Sequence, residues 1–202
     1  MEQKAPLTAS KLPLWTLATA FFAVLIFVFP QLGVQLVYDR AAIIHGEIWR
    51  LFSGNFVHFS LAHLCYNLAA WFITGSIIEL RGYRFFPALC LLSSIIIGMI
   101  IFMLAPELNL YAGLSGIVSS AVTYLCLHGI GEKGIWRWLC SGMLAGLIAK
   151  TVIEMVTGSS MMLLMSEENF VPVPLSHLAG IVTAFIFFVF LRMSSYFRHY
   201  SR

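Results

Sequence analysis

Gly113-Leu114-Ser115-Gly116 opens an apolar run that continues to His128, and His177-Leu178-Ala179-Gly180 lies near the start of a second run, at 174–192. A serine and a histidine at the mouths of such segments are costly in lipid unless they do something there. How many runs of this kind the chain contains decides the fold.

Six stretches are long enough to be bilayer helices: 14–37, 60–80, 85–104, 113–128, 136–156 and 174–192. Breakers or charges separate them, among them Glu79-Leu80-Arg81-Gly82, Ala105-Pro106-Glu107 and the Gly-rich stretch at 129–134. Of the 202 residues, 60% are hydrophobic and 10% charged, too apolar for a water-soluble domain of this length. The reading is an all-α membrane protein, a six-helix bundle at 14–192 between an N-terminal tail (1–13) and a basic tail (193–202). The first run is as long as a full span and shows no small-residue cleavage pattern, so it is expected to stay as a helix rather than act as a cleaved signal. No basic patch with interleaved aromatics is present, so no nucleic-acid partner is expected, and the net charge of +3 reflects membrane flanks.

Lysine and arginine positions orient the bundle. With both termini cytoplasmic, Lys4, Lys11, Arg81, Arg84, Lys133, Arg137, Arg192, Arg198 and Arg202 fall inside, and only Arg40 and Arg50 fall outside. The second, fourth and sixth segments then run from outside to inside. His63, Asn67, Ser115 and His177, all near N-terminal ends, share the outer half of the membrane.

His63 and Asn67 are four apart and project from one helix face as two potential donors, with no obvious partner in their own helix. The fourth segment, at about 1.5 Å per residue, is shorter than a full hydrocarbon span, so Ser115 would sit below the surface in a water-filled cavity. Gly116, Ser119, Ser120 and Thr123 at helical spacing in the fourth segment, and Gly180 and Ala184 in a small-x3-small pattern in the sixth, would let the two backbones approach. A serine hydroxyl needs an adjacent base, which neutral histidine supplies; Ser115 would attack and His177 act as base, then acid. Free N–H groups at the start of the fourth helix, with His63 and Asn67, could receive the oxyanion.

These residues resemble the rhomboid family of intramembrane serine proteases. The resemblance is carried by Trp49-Arg50, His58-Phe59-Ser60-Leu61-Ala62-His63 continuing to Asn67, Gly113-Leu114-Ser115-Gly116 and His177-Leu178-Ala179-Gly180, in family order across nearly the whole chain. It implies a Ser115–His177 dyad without a third acidic member, and an oxyanion site of His63, Asn67 and the Gly113–Ser115 backbone through Leu114. It also implies hydrolysis of peptide bonds in or near transmembrane protein substrates, without metal or cofactor, in a bacterial inner membrane with the site opening outward. Within the family the chain looks most like the rhombosortase subgroup, on six helices with no seventh, on Pro106 and Tyr111 before the Gly-Leu-Ser-Gly motif, and on Lys150 with Glu154 followed by Gly158 on the fifth helix. Those enzymes are associated with secreted proteins bearing a C-terminal Gly-Gly, transmembrane helix and basic tail. Many rhomboid proteases carry an aromatic four positions after the serine, against which the histidine packs. Here that position is Ser119, which leaves the support of His177 open.

Simpler readings stand beside these. Trp49 and Arg50 fit an interfacial anchor contacting membrane lipid at headgroup depth. His58, five from His63, points elsewhere on a helix and buttresses the first loop rather than pairing in a metal site. Lys150 and Glu154, opposite charges four apart, neutralise one another, with Lys150 as base for Ser115 the alternative. Cys65, Cys90, Cys126 and Cys140 show no metal or redox spacing and read as small apolar fillers. The competing functional classes are a catalytically silent rhomboid-like protein that binds transmembrane helices, and, more remotely, a transporter, for which no repeat halves are visible.

Overall fold

The computed structural model describes residues 12–158 and 173–200. Lys4, Lys11 and Arg202 of the orientation argument, with most of the N-terminal tail, lie outside the described residues. In chain order the elements are α1 (Leu14–Val28), α2 (Pro30–Leu36), β1 (Tyr38–Asp39), α3 (Arg40–Ile44), α4 (Arg50–Ser53), a 3-10 turn at Gly54–Phe56, α5 (Leu61–Leu80), α6 (Phe86–Leu104), β2 (Leu110–Tyr111), α7 (Ser115–Ile130), α8 (Ile135–Thr157) and α9 (Pro174–Tyr200).

Among the described residues, α5, α6, α8 and the Pro174–Ser194 part of α9 are long and apolar enough to cross a membrane. The run at 14–37, read as one helix, is instead two, bent by 107° between Val28 and Pro30. Pro30 begins α2 and cannot donate to the preceding turn, and it drives Phe29 out of the helical region to φ −109°, ψ 89°. α7 has only 16 residues, as its short apolar run implied. α9, by contrast, continues to Tyr200, past the Arg192 where the apolar pattern ends.

α7 sits at the centre. It packs most extensively on α9 and also touches α5, α6 and α8, and residues on every face of it are buried, including Ile117, Ser120, Tyr124 and Leu125. α8 is the opposite case: along its 23 residues only Cys140, Thr151 and Glu154 are buried. At the other end of the bundle, Glu79 of α5 accepts from the backbone N–H groups of Trp15 (3.0 Å) and Thr16 (2.7 Å), placing a carboxylate on the unsatisfied donors and positive dipole end of α1. The Trp71 indole donates to the Thr16 carbonyl at 3.0 Å, which ties α5 to the same turn.

The first loop is pinned from within. Arg50 is only 8% exposed, and its guanidinium donates to the Val34 and Val37 carbonyls, both at 2.9 Å, and to Glu47 at 2.6 Å. Those carbonyls end α2 and would otherwise lack partners. Arg50 is therefore an internal clamp, not the headgroup anchor its place beside Trp49 suggested, whereas Trp49 itself is half exposed. Replacing Arg50 with alanine is expected to cost about 3 kcal/mol, the scale of losing charged hydrogen bonds to buried carbonyls. Arg50→Lys should recover only part, because an ammonium lacks the guanidinium fork. Thermal denaturation in detergent measures both, and unchanged midpoints would remove the clamp from the account.

Candidate active site

The approach to α7 is built by the first loop. β1 and β2 pair antiparallel, Tyr38 opposite Tyr111 and Asp39 opposite Leu110. Tyr111 then donates its hydroxyl to the Gly113 carbonyl (3.1 Å), and the Gly113 N–H donates to the Gly54 carbonyl (3.3 Å). Asn55, fully buried, donates to the Ser94 and Phe52 carbonyls at 3.0 and 3.1 Å and so binds the loop to α6. Gly113 adopts φ +137°, a conformation side chains rarely take, and a Cβ there would lie 2.7 Å from His63 Cε1 and 3.0 Å from Nε2. Glycine is required both by the turn and by the imidazole lying against it.

His58 organises this corner. Ser60 caps α5, accepting from the His63 N–H at 3.2 Å, so residues 58–60 are not helical and the five-residue spacing does not turn His58 away. Its ring instead meets the His63 ring edge to face, with centroids 5.0 Å apart. Its Nε2 lies 3.2 Å from Asn67 Nδ2 and 3.4 Å from the Leu114 N–H. Asn67 also donates to the His63 carbonyl at 3.1 Å, so it does have a partner within its own helix. The Asn67 amide and the Leu114 N–H, expected as free donors, are thus engaged by neighbours, while the N–H groups of Ser115 and Gly116 belong to a first helical turn that offers no carbonyl one turn back. Among the described residues, no three His, Cys, Asp or Glu side chains group as metal ligands.

Burial, with His63 as the second cause, pushes the His58 imidazole down to about 3, which keeps Nε2 an acceptor. Because the folded value lies below the unfolded one near 6.5, this stability contribution is complete above pH 6.5 and is lost progressively as pH falls toward 3. Denaturation midpoints should therefore drop on acidification below pH 6.5, and His58→Gln should flatten that dependence. An equally steep profile in the variant would assign the effect to other groups.

α7 and α9 meet where their motifs begin. A Cβ on Gly116 would stand 2.9 Å from the Ser176 carbonyl oxygen, and one on Gly180 would meet the Gly116 carbonyl oxygen and lie 3.2 Å from the Ser120 N–H nitrogen. The segments bearing Ser115 and His177 therefore touch at backbone distance. His177 is 8% exposed. Ser119 donates to the Ser115 carbonyl at 2.8 Å, so the position that could have held a supporting aromatic is occupied in its own helix.

On the other side of His177 stands a carboxylate. Glu154, 1% exposed, lies with Oε2 3.2 Å from His177 Nδ1, while Lys150 Nζ donates to both carboxylate oxygens at 2.8 and 2.7 Å. The Lys150–Glu154 pairing seen in the sequence exists, and His177 joins it. Sequence spacing missed this contact because it joins two helices. It also missed the supporting role of Asn55, for which no local signal exists.

The rhomboid domain family matches over residues 45–194, a span that contains His58, His63, Asn67, Ser115, Glu154 and His177. The chain belongs to the rhomboid family. Among curated rhomboids it is 29% identical over 140 residues to "Rhomboid protease GlpG" of Klebsiella pneumoniae, covering 68% of this chain and 46% of that protein. It is 28% identical over 144 residues to "Rhomboid protease GlpG homolog" of Cronobacter sakazakii (71% and 51%) and 28% identical over 152 residues to "Rhomboid protease GlpG" of Salmonella newport (74% and 50%). The chain thus spans about half the length of the curated rhomboids it matches. α1 and α2 precede the rhomboid match, and the corner built by His58, His63 and the start of α7 lies wholly inside it.

Proposed function

We propose that this rhomboid is an intramembrane serine endopeptidase. Ser115 Oγ attacks the scissile carbonyl and passes its proton to His177, which then gives that proton to the leaving amine. Water, activated by the same imidazole, releases the acyl group from Ser115 and regenerates the hydroxyl. The observation that carries the reading is the α7–α9 backbone contact at Gly116 and Gly180, which brings the serine and histidine segments to backbone distance.

The oxyanion receives the N–H of Ser115 and the His63 side chain lying over Gly113, with Asn67 and Leu114 held in register through His58. The membrane domain is a six-helix bundle in which the bent α1–α2 pair and the short α7 complete the count. Both termini face the cytoplasm, and the site opens to the outer face of a bacterial inner membrane. The substrate is a transmembrane protein whose helix must unwind to expose its carbonyl, a demand that glycine eases because helix interiors tolerate it poorly. The resemblance of the Tyr111 and Lys150–Glu154 region to rhombosortases favours C-terminal Gly-Gly and transmembrane tails of secreted proteins.

The test is cleavage of a reporter fused to a Gly-Gly plus transmembrane tail in membranes carrying wild type or Ser115→Ala, alongside fluorophosphonate labelling of Ser115. Cleavage and labelling by wild type only is the expected result. Labelling without cleavage would discard the Gly-Gly substrate and keep the hydrolase. Neither signal in folded protein would favour a silent binder of transmembrane helices.

A further inference from the structure

We propose that Glu154 is a positioning residue for His177, making the site a three-member array of Ser115, His177 and Glu154 in which Lys150 serves as counter-ion to the carboxylate. The inference rests on the hydrolase reading above and goes beyond the two-residue arrangement which the family resemblance implies.

α8 leaves most of its surface uncovered, yet it buries Glu154. An (i, i+4) pair with Lys150 needs no such burial, since two such charges can neutralise one another on an open helix face. Taking a carboxylate out of water is tolerated when charged and hydrogen-bonding partners take up its lone pairs. Its partners here include Lys150, 34% exposed at its side chain, and the imidazole of a different helix.

The consequence for His177 is chemical. With Oε2 on Nδ1, the ring carries its proton at Nδ1 and presents the lone pair of Nε2, the nitrogen a base toward Ser115 must use. When Nε2 takes the serine proton, the carboxylate stands beside the imidazolium that forms. Lys150 keeps the carboxylate ionised throughout and takes no proton itself. The support that Ser119 does not supply from α7 is supplied by α8.

The experiment compares wild type, Glu154→Gln, Glu154→Asp, Lys150→Met and the Lys150→Met/Glu154→Gln double variant in proteoliposomes. It measures kcat and KM on a transmembrane reporter that wild type cleaves, the fluorophosphonate labelling rate of Ser115, and the thermal midpoint. Nitrogen-15 spectra of His177 report the tautomer independently of turnover. Glu154→Gln should lower kcat and the labelling rate about 100-fold or more with KM within about twofold, and Glu154→Asp should recover part of the loss. Lys150→Met should fall between wild type and Glu154→Gln, because the carboxylate stays beside Nδ1 but loses the ammonium that holds it ionised. The double variant leaves no lone buried charge, so it should fold, and it should be as slow as Glu154→Gln.

Wild-type rates in Glu154→Gln, or recovery of activity in the double variant, would overturn the inference and reduce the pair to mutual neutralisation. A wild type that neither cleaves nor labels, but whose His177 proton sits on Nδ1 and leaves it in Glu154→Gln, would overturn the hydrolase reading while leaving the positioning contact intact.

Discussion

Replacing His177 with alanine is expected to lower peptide cleavage about 10⁴-fold or more, and adding Ser115→Ala should cost almost nothing further. In the proposed mechanism the two side chains perform one proton transfer: without the base the hydroxyl is a weak nucleophile, and without the hydroxyl the base has nothing to activate. Initial rates on one reporter for the two single variants and the double variant measure this directly. Losses that multiply would mean two independent roles. Residual turnover in His177→Ala that disappears when Lys150→Met is added would instead make Lys150 the base, although its ammonium is engaged by both oxygens of Glu154.

The second large effect is expected at a residue that takes no part in the chemistry itself, at Gly180→Val. The first atom of the new side chain would land on the Gly116 carbonyl oxygen, and backbone cannot yield as a flexible side chain does. α7 and α9 would have to separate at the level of Ser115 and His177. A displacement of about 1 Å there is enough to cost on the order of 100-fold in rate, and overpacking of this kind costs about 3 kcal/mol in stability. Fluorophosphonate labelling and thermal denaturation should therefore fall together. Gly142→Ala on α8 is the control, since a Cβ there meets nothing within 4 Å. Equal behaviour of the two variants would show that the α7–α9 contact is not what holds the site.

Both predictions rest on features that differ in how far the chain's order reveals them. Ser115, His177 and the small residues between α7 and α9 stand out because a polar group or a glycine at the head of an apolar run is locally unusual, and lipid makes that departure expensive. The apolar runs likewise mark the long helices, since bilayer thickness sets the minimum length of a span. The bend at Pro30 was readable in principle, but hydropathy averages across it. Arg50 misled for a related reason: beside Trp49 it has the local look of an interface anchor, and its carbonyl partners at Val34 and Val37 lie in the preceding helix.

What the sequence by itself determined, then, was the helical membrane class, the rhomboid resemblance and the serine and histidine that the proposed chemistry uses, because each is written in adjacent residues or in the periodicity of one segment. Only the tertiary structure decided that His58 gathers Asn67 and Leu114, that Arg50 clamps α2, and that Glu154 stands behind His177. Those contacts join residues from different elements, and their geometry depends on where capping, bends and close helix packing bring the chain back upon itself.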